Sequence, residues 1–180
     1  MRVITLAGSP RFPSRSTALL SVCQRALEAR GVEVIPWNIH NFQPEDLLYA
    51  RVDSPALTAL KADLALAEGL IVATPIYKAA FSGALKTLID LLPERALEHK
   101  VVLPLASGGS VAHMLAVDYA LKPVLKAQEV LHGVFANDTQ ITHYDRQPEL
   151  DALLSDRINE ALETFWQALH RRHQPYAQAV

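Results

Sequence analysis

The chain has 180 residues, half of them hydrophobic and 20% charged, a balance that suits one globular domain and leaves no room for a long disordered segment. Its formal net charge of -2 gives no long-range attraction to nucleic acid or to an acidic membrane. Cys23 is the single cysteine, which excludes an internal disulfide and a cysteine-built metal site.

The seven histidines are scattered, without His-x-x-x-His or a related ligand spacing, so no zinc site is expected. The amino terminus opens on a strand pattern rather than the charged-then-apolar layout of a signal peptide, and no apolar run reaches the roughly 20 residues of a membrane span. The expected compartment is the cytoplasm.

Strand-like runs alternate with helical patterns throughout, which predicts βαβ units and a parallel sheet covered on both faces. RVITLA, residues 2–7, is the first strand. It leads into GSPRFPSRST, residues 8–17, with hydroxyls at Ser9, Ser14, Ser16 and Thr17 and guanidinium groups at Arg11 and Arg15. Together with the free N–H donors of a helix start, these are the parts of a phosphate cradle. The alternative is an ordinary β-to-α turn in which Ser16 caps the helix. Residues 16–30 then place Ala18, Leu19, Val22, Ala26 and Leu27 on one helical face, with Cys23 as a small core residue.

VEVIPW, residues 32–37, is the second strand. Residues 38–53 form a connection whose Phe42, Leu47, Leu48 and Tyr49 are more apolar than a solvated loop needs; they cover either a subunit partner or their own domain. Ser54 and Pro55 mark the start of a helix that runs to about residue 68. GLIVAT, residues 69–74, reads as the centre of the sheet.

The next loop, within TPIYKAAFSGALK, sets Pro75 and Ile76 beside the ring of Tyr77, followed by Lys78. Such a stiff, largely aprotic segment suits the edge and face of a flat heteroaromatic ligand. A strand-exit turn in which Tyr77 simply packs is the alternative. A helix begins near Ser82, with Leu85, Leu88, Ile89 and Leu92 on one face.

KVVLPLA, residues 100–106, is the fourth strand; Pro104 suits a strand only near its end or at a bulge, and is read as a break that opens the strand into Ser107, Gly108, Gly109 and Ser110, with an irregular strand end as the alternative. Those glycines let backbone donors approach a ligand closely. Residues 112–128 form an apolar helix in which the ring of Pro123 conflicts with the carbonyl of Tyr119, so a kink or π-bulge is expected between Asp118 and Pro123. A fifth strand lies within 129–136. Residues 149–170 repeat apolar residues at helical spacing, and the domain, 1–172, ends before a polar tail at 173–180.

This order fits a flavodoxin-like, doubly wound, five-stranded parallel sheet of order 2-1-3-4-5, with helices on both faces. The loops after strands 1, 3 and 4 then meet at the carboxyl edge. Phosphate chemistry, a planar-ring clamp and close backbone donors together describe flavin mononucleotide. Motifs for nucleoside triphosphates, for tightly held dinucleotides and for a serine hydrolase are missing, and no pair of carboxylates is singled out for acid–base work.

GSPRFPSRST, ATPIYKAAFSGALKTLIDLLPERAL and ASGGSVAHMLAVDYALKPVL resemble the NADPH-dependent FMN reductases, and within them the reductases of two-component alkanesulfonate monooxygenase systems. The resemblance covers residues 1 to about 172. It implies that Ser9, Arg11, Ser14, Ser16 and Thr17 hold the flavin phosphate, that Pro75, Ile76, Tyr77 and Lys78 line the isoalloxazine, and that Ser107, Gly108, Gly109 and Ser110 meet its other edge. It also implies hydride transfer from NADPH to FMN and release of reduced FMN to a partner monooxygenase that frees sulfite from alkanesulfonates. A homotetramer is implied as well, a dimer of dimers in which the helix around Tyr119 packs on its counterpart beside the flavin. One departure is that Leu125 passes directly to Lys126, where close relatives carry about three more residues, nearly one helical turn.

Hydride transfer is the chemistry of the cofactors and needs no catalytic side chain. A quinone or azo reductase using bound FMN, a flavodoxin-like electron carrier and a non-enzymatic interaction module are the other readings. The modest net charge disfavours the acidic carrier. No separate ribose-reading segment distinguishes NADPH from NADH.

Overall fold

The computed structural model describes residues 1–127 and 129–173. Strands β1 (Arg2–Ala7), β2 (Glu33–Asn38), β3 (Gly69–Tyr77) and β5 (Val101–Gly108) are parallel neighbours in the order β2-β1-β3-β5. Beyond β5 lie two short parallel pieces, β6 (Glu129–Val130) and β7 (Val134–Asn137), while β4 (Ala80–Phe81) folds back antiparallel on β3. The expected flavodoxin-like order therefore holds in outline, with the fifth strand in two parts. A separate antiparallel pair, β8 (Ile141–Thr142) and β9 (Glu149–Leu150), follows.

Successive side chains of a strand point to opposite faces, and the buried residues divide accordingly. Val3, Ile71, Leu103 and Leu105 join the core under helices α1 (Arg15–Glu28) and α6 (Ala152–His173). Ile4, Leu70, Val72 and Val102 join the opposite core under α3 (Pro55–Leu66) and α4 (Gly83–Ile89), to which Phe42 and Leu47 belong as well. Phe42 and Leu47, the latter in the short helix α2 (Pro44–Leu48), thus cover their own domain, whereas Leu48 and Tyr49 are exposed. Cys23 is fully buried, which pushes its thiol up to about 12, the behaviour of a small core residue.

Two expectations need correction. Pro104 does not break its strand: β5 runs through it to Gly108, with Pro104 opposite Val72. The interruption falls on the neighbour instead. Val102 pairs with Val130 and Leu105 with Val134, so Leu103 and Pro104 face Leu131, His132 and Gly133, one residue more. A proline has no N–H for the ladder, and an extra residue on the facing strand is how a bulge accommodates that.

The single helix expected over 112–128 is also absent. A 3-10 turn at Val111–His113 is followed by a π-helical turn at Val117–Leu121 and one α-helical turn, α5 (Lys122–Val124). The irregularity lies where Pro123 demanded it. Gln128 and the tail from residue 174 lie outside the described residues. Among the described residues no helix is long and apolar enough to cross a membrane.

Candidate functional site

The carboxyl ends of β1, β3 and β5 converge on one crevice, and the first two of their loops are bolted together. The Gly8 N–H donates to the Ala73 carbonyl at 2.8 Å, and the Gly8 carbonyl accepts from the Ser82 hydroxyl. Ser82 also caps α4 by accepting from the Leu85 N–H at 3.1 Å, and its own N–H reaches Thr74 Oγ1 at 3.0 Å. A Cβ on Gly8 would stand 2.8 Å from the Leu85 Cβ. The loop can pass this close to α4 only as glycine.

The first loop then turns into α1 through a capping box. Ser14 Oγ accepts from the Thr17 N–H at 3.1 Å and Thr17 Oγ1 accepts from the Ser14 N–H at 2.9 Å. The cap is thus Ser14, with Ser16 Oγ 3.1 Å from its hydroxyl. Among the described residues the N–H groups of Arg15 and Ser16 have no hydrogen-bond acceptor. Uncapped donors at the positive end of a helix favour an anion. Upstream, the Arg11 N–H bonds Ser9 Oγ at 3.1 Å, which fixes the turn while Arg11 itself stays exposed.

Ser9, Arg11, Ser14 and Ser16 line the crevice, opposite Pro75, Ile76 and Tyr77 from the second loop. Ser107, Gly108 and Gly109 from the third complete the set, in a cavity of about 180 Å³. Ile76 is buried against Ala106, Val117 and Phe135, so the crevice floor continues into the π-helical turn. Four residues expected at the site do not line it. Thr17 acts in the capping box, Lys78 is exposed at φ 51°, and Ser110 caps the following 3-10 turn. Tyr119 is 79% exposed and borders a separate shallow depression with Ala79 and Leu115.

Sequence motifs missed three lining residues: Pro13, Asp138 and Tyr144. The last two follow β7 and β8, far from the three loops, and no local pattern marks them. Tyr144 places its ring 4.8 Å from the Arg15 guanidinium. Arg15 also lines the crevice, and its Nε is buried without a hydrogen-bond partner. An unpaired cationic donor, hydroxyls and free N–H groups at one end, with an aprotic wall and an aromatic ring at the other, fit a mononucleotide such as FMN.

The family model described as NADPH-dependent FMN reductase matches residues 1–142. The chain is 67% identical to the FMN reductase (NADPH) of Escherichia coli strain K12, over 96% of this chain and 92% of that protein. It is 54% identical to the FMN reductase (NADPH) of Pseudomonas putida, over 100% and 94%. Among solved structures, an apo NADH:FMN oxidoreductase, EmoB, superposes with a TM-score of 0.84 at 32% identity, covering 93% of this chain and 89% of that one. The chain belongs to the NADPH-dependent FMN reductase family, an oxidoreductase that uses FMN and NADPH.

Proposed function

We propose that the chain reduces FMN as a passing substrate in this crevice and supplies it to a partner FMNH2-dependent monooxygenase that frees sulfite from alkanesulfonates. The observation that carries the reading is the convergence of the loops after β1, β3 and β5 on one small, open cavity. Its volume lies below the roughly 300 Å³ at which ligand pockets begin. A flavin held there keeps much of its surface outside the protein, which suits both approach of a nicotinamide and release of the product.

In this reading Arg11, Arg15 and the first-turn N–H groups of α1 hold the phosphate, with the hydroxyls of Ser9, Ser14 and Ser16 beside it. Thr17 acts through its cap with Ser14. Pro75, Ile76 and Tyr77 line the ring, Lys78 stands at its margin, and the backbone from Ser107 to Gly109 meets the other edge, with Ser110 acting through its cap of the turn that follows. Bound FMN supplies the hydride-accepting chemistry, with NADPH as donor. The protein orients and desolvates one face; it contributes no acid or base.

The π-helical turn and the residues just before it leave Met114, Leu115 and Tyr119 exposed, at 51%, 58% and 79%. An apolar surface of this kind suits an interface between copies, and a homotetramer assembled through it belongs to the same proposal. The test is a coupled assay with an FMNH2-dependent alkanesulfonate monooxygenase, scoring sulfite release, alongside sedimentation of the reductase. Sulfite release that depends on this chain, FMN and NADPH supports the proposal; NADPH consumption without sulfite overturns the supply role.

A further inference from the structure

Tyr144 lies beyond the residues that the family model matches, yet it forms part of the crevice wall. Its place is set by the β8–β9 hairpin, in which Ile141 pairs with Leu150 and Thr142 with Glu149. The hairpin is tied to the start of α6. The Asp151 N–H donates to the Gln140 carbonyl at 3.0 Å, and the Gln140 amide donates to the Asp151 carboxylate. Arg157 reaches Gln140 Oε1 at 3.2 Å and the Phe135 carbonyl at 3.0 Å. Ile141 and Leu150 anchor the hairpin in the core beneath, and Tyr144 packs against that core.

Tyr144 stands against Arg15, and the kind of contact matters. Among the described residues Arg15 forms no ion pair with a carboxylate, and its buried Nε lacks a partner. The guanidinium is held by an aromatic face at 4.8 Å instead. A carboxylate would fix Arg15 and cancel its charge; a ring fixes it and leaves the charge available. An anion site at the start of α1 needs the second arrangement.

We propose that Tyr144 is a positioning residue for phosphate recognition: its ring holds the Arg15 guanidinium in the crevice without neutralising it, so that the site favours flavins carrying a terminal phosphate. The inference rests on the reading of residues 8–17 as the FMN phosphate site. Tyr144 itself touches no reacting atom, and its contribution passes through Arg15.

The test is a set of dissociation constants for FMN and for riboflavin, which lacks the phosphate, from flavin-fluorescence titrations without NADPH. The wild type binds FMN more tightly than riboflavin. Tyr144→Leu weakens FMN about three- to thirtyfold, the range of a desolvated cation–π contact, and leaves riboflavin unchanged. Tyr144→Phe keeps the ring and restores FMN affinity. In an Arg15→Ala background Tyr144→Leu has no further effect on FMN. Equal weakening of both flavins by Tyr144→Leu, or no change in either, overturns the role of Tyr144 while leaving the phosphate site standing. Equal affinity of the wild type for both flavins overturns the phosphate site itself.

Discussion

The hydroxyl of Ser82 donates to the carbonyl of Gly8, joining residues 74 apart in sequence. Ser82 is 1% exposed and also caps α4 through the Leu85 N–H. Ser82→Ala removes the cap and leaves the Gly8 carbonyl without this donor. A lost cap costs about 1 kcal/mol and an unsatisfied buried acceptor about 1–3 kcal/mol. The expected result is a Tm lower by roughly 5–10 °C, with weaker FMN binding; Ser82→Thr, which keeps the hydroxyl, recovers most of both.

Arg11 is exposed at the mouth of the crevice, and Ser16 is fully buried beside the cap hydroxyl of Ser14. Charge-assisted contacts to a phosphate are worth about 1.5–3 kcal/mol. Arg11→Ala therefore raises the KM for FMN by roughly tenfold or more while leaving Tm close to the wild-type value. Ser16→Ala raises it as well. An unchanged KM in both variants contradicts the assignment of the loop to phosphate.

Gly133 sits in the bulge opposite Pro104, where a Cβ would stand 2.1 Å from Val117 Cγ1 and 3.1 Å from the Pro104 carbonyl oxygen. Val117 opens the π-helical turn. Gly133→Ala must displace that turn, and overpacking of this kind costs about 1–3 kcal/mol. Thermal unfolding of Gly133→Ala should show the loss, and the Val117→Ala/Gly133→Ala double variant should regain part of it.

Asp151 caps α6 by accepting from the Leu154 N–H at 2.7 Å and also accepts from Gln140, which holds its carboxyl below the usual range. The folded-state value lies under the unfolded one. The stabilisation is therefore present above about pH 4 and is lost as pH falls through the lowered value. Asp151→Asn keeps an acceptor without the charge. Its Tm should fall below the wild type at pH 7 and converge with it as pH falls through the lowered value, a comparison that thermal melts across pH provide.

The parts of the fold written in local periodicity were legible. β1, the start of α3 at Pro55 and the start of α4 after Ser82 lie where apolar spacing, the proline and the serine placed them, although the Ser54 side chain forms no cap bond to α3. What was not legible depends on contacts distant in sequence. β4 is two residues long and follows Lys78 and Ala79, both at positive φ without being glycine. Pro104 signalled a broken strand, but the break passed to its neighbour because Gly133 could absorb it. Residues 149 and 150, read as helix, pair with β8 instead, because Asp151 starts α6 only after them. At the site, the three loop motifs came together, whereas Asp138 and Tyr144 reach the crevice through tertiary structure that no motif encodes.

The most direct measurement is the steady-state rate of NADPH oxidation as free FMN is varied, with a quinone as the competing acceptor. Saturable turnover with free FMN is expected, with an FMN KM that rises in Arg11→Ala while kcat holds. Turnover with the quinone alone, and none with added FMN, would contradict it.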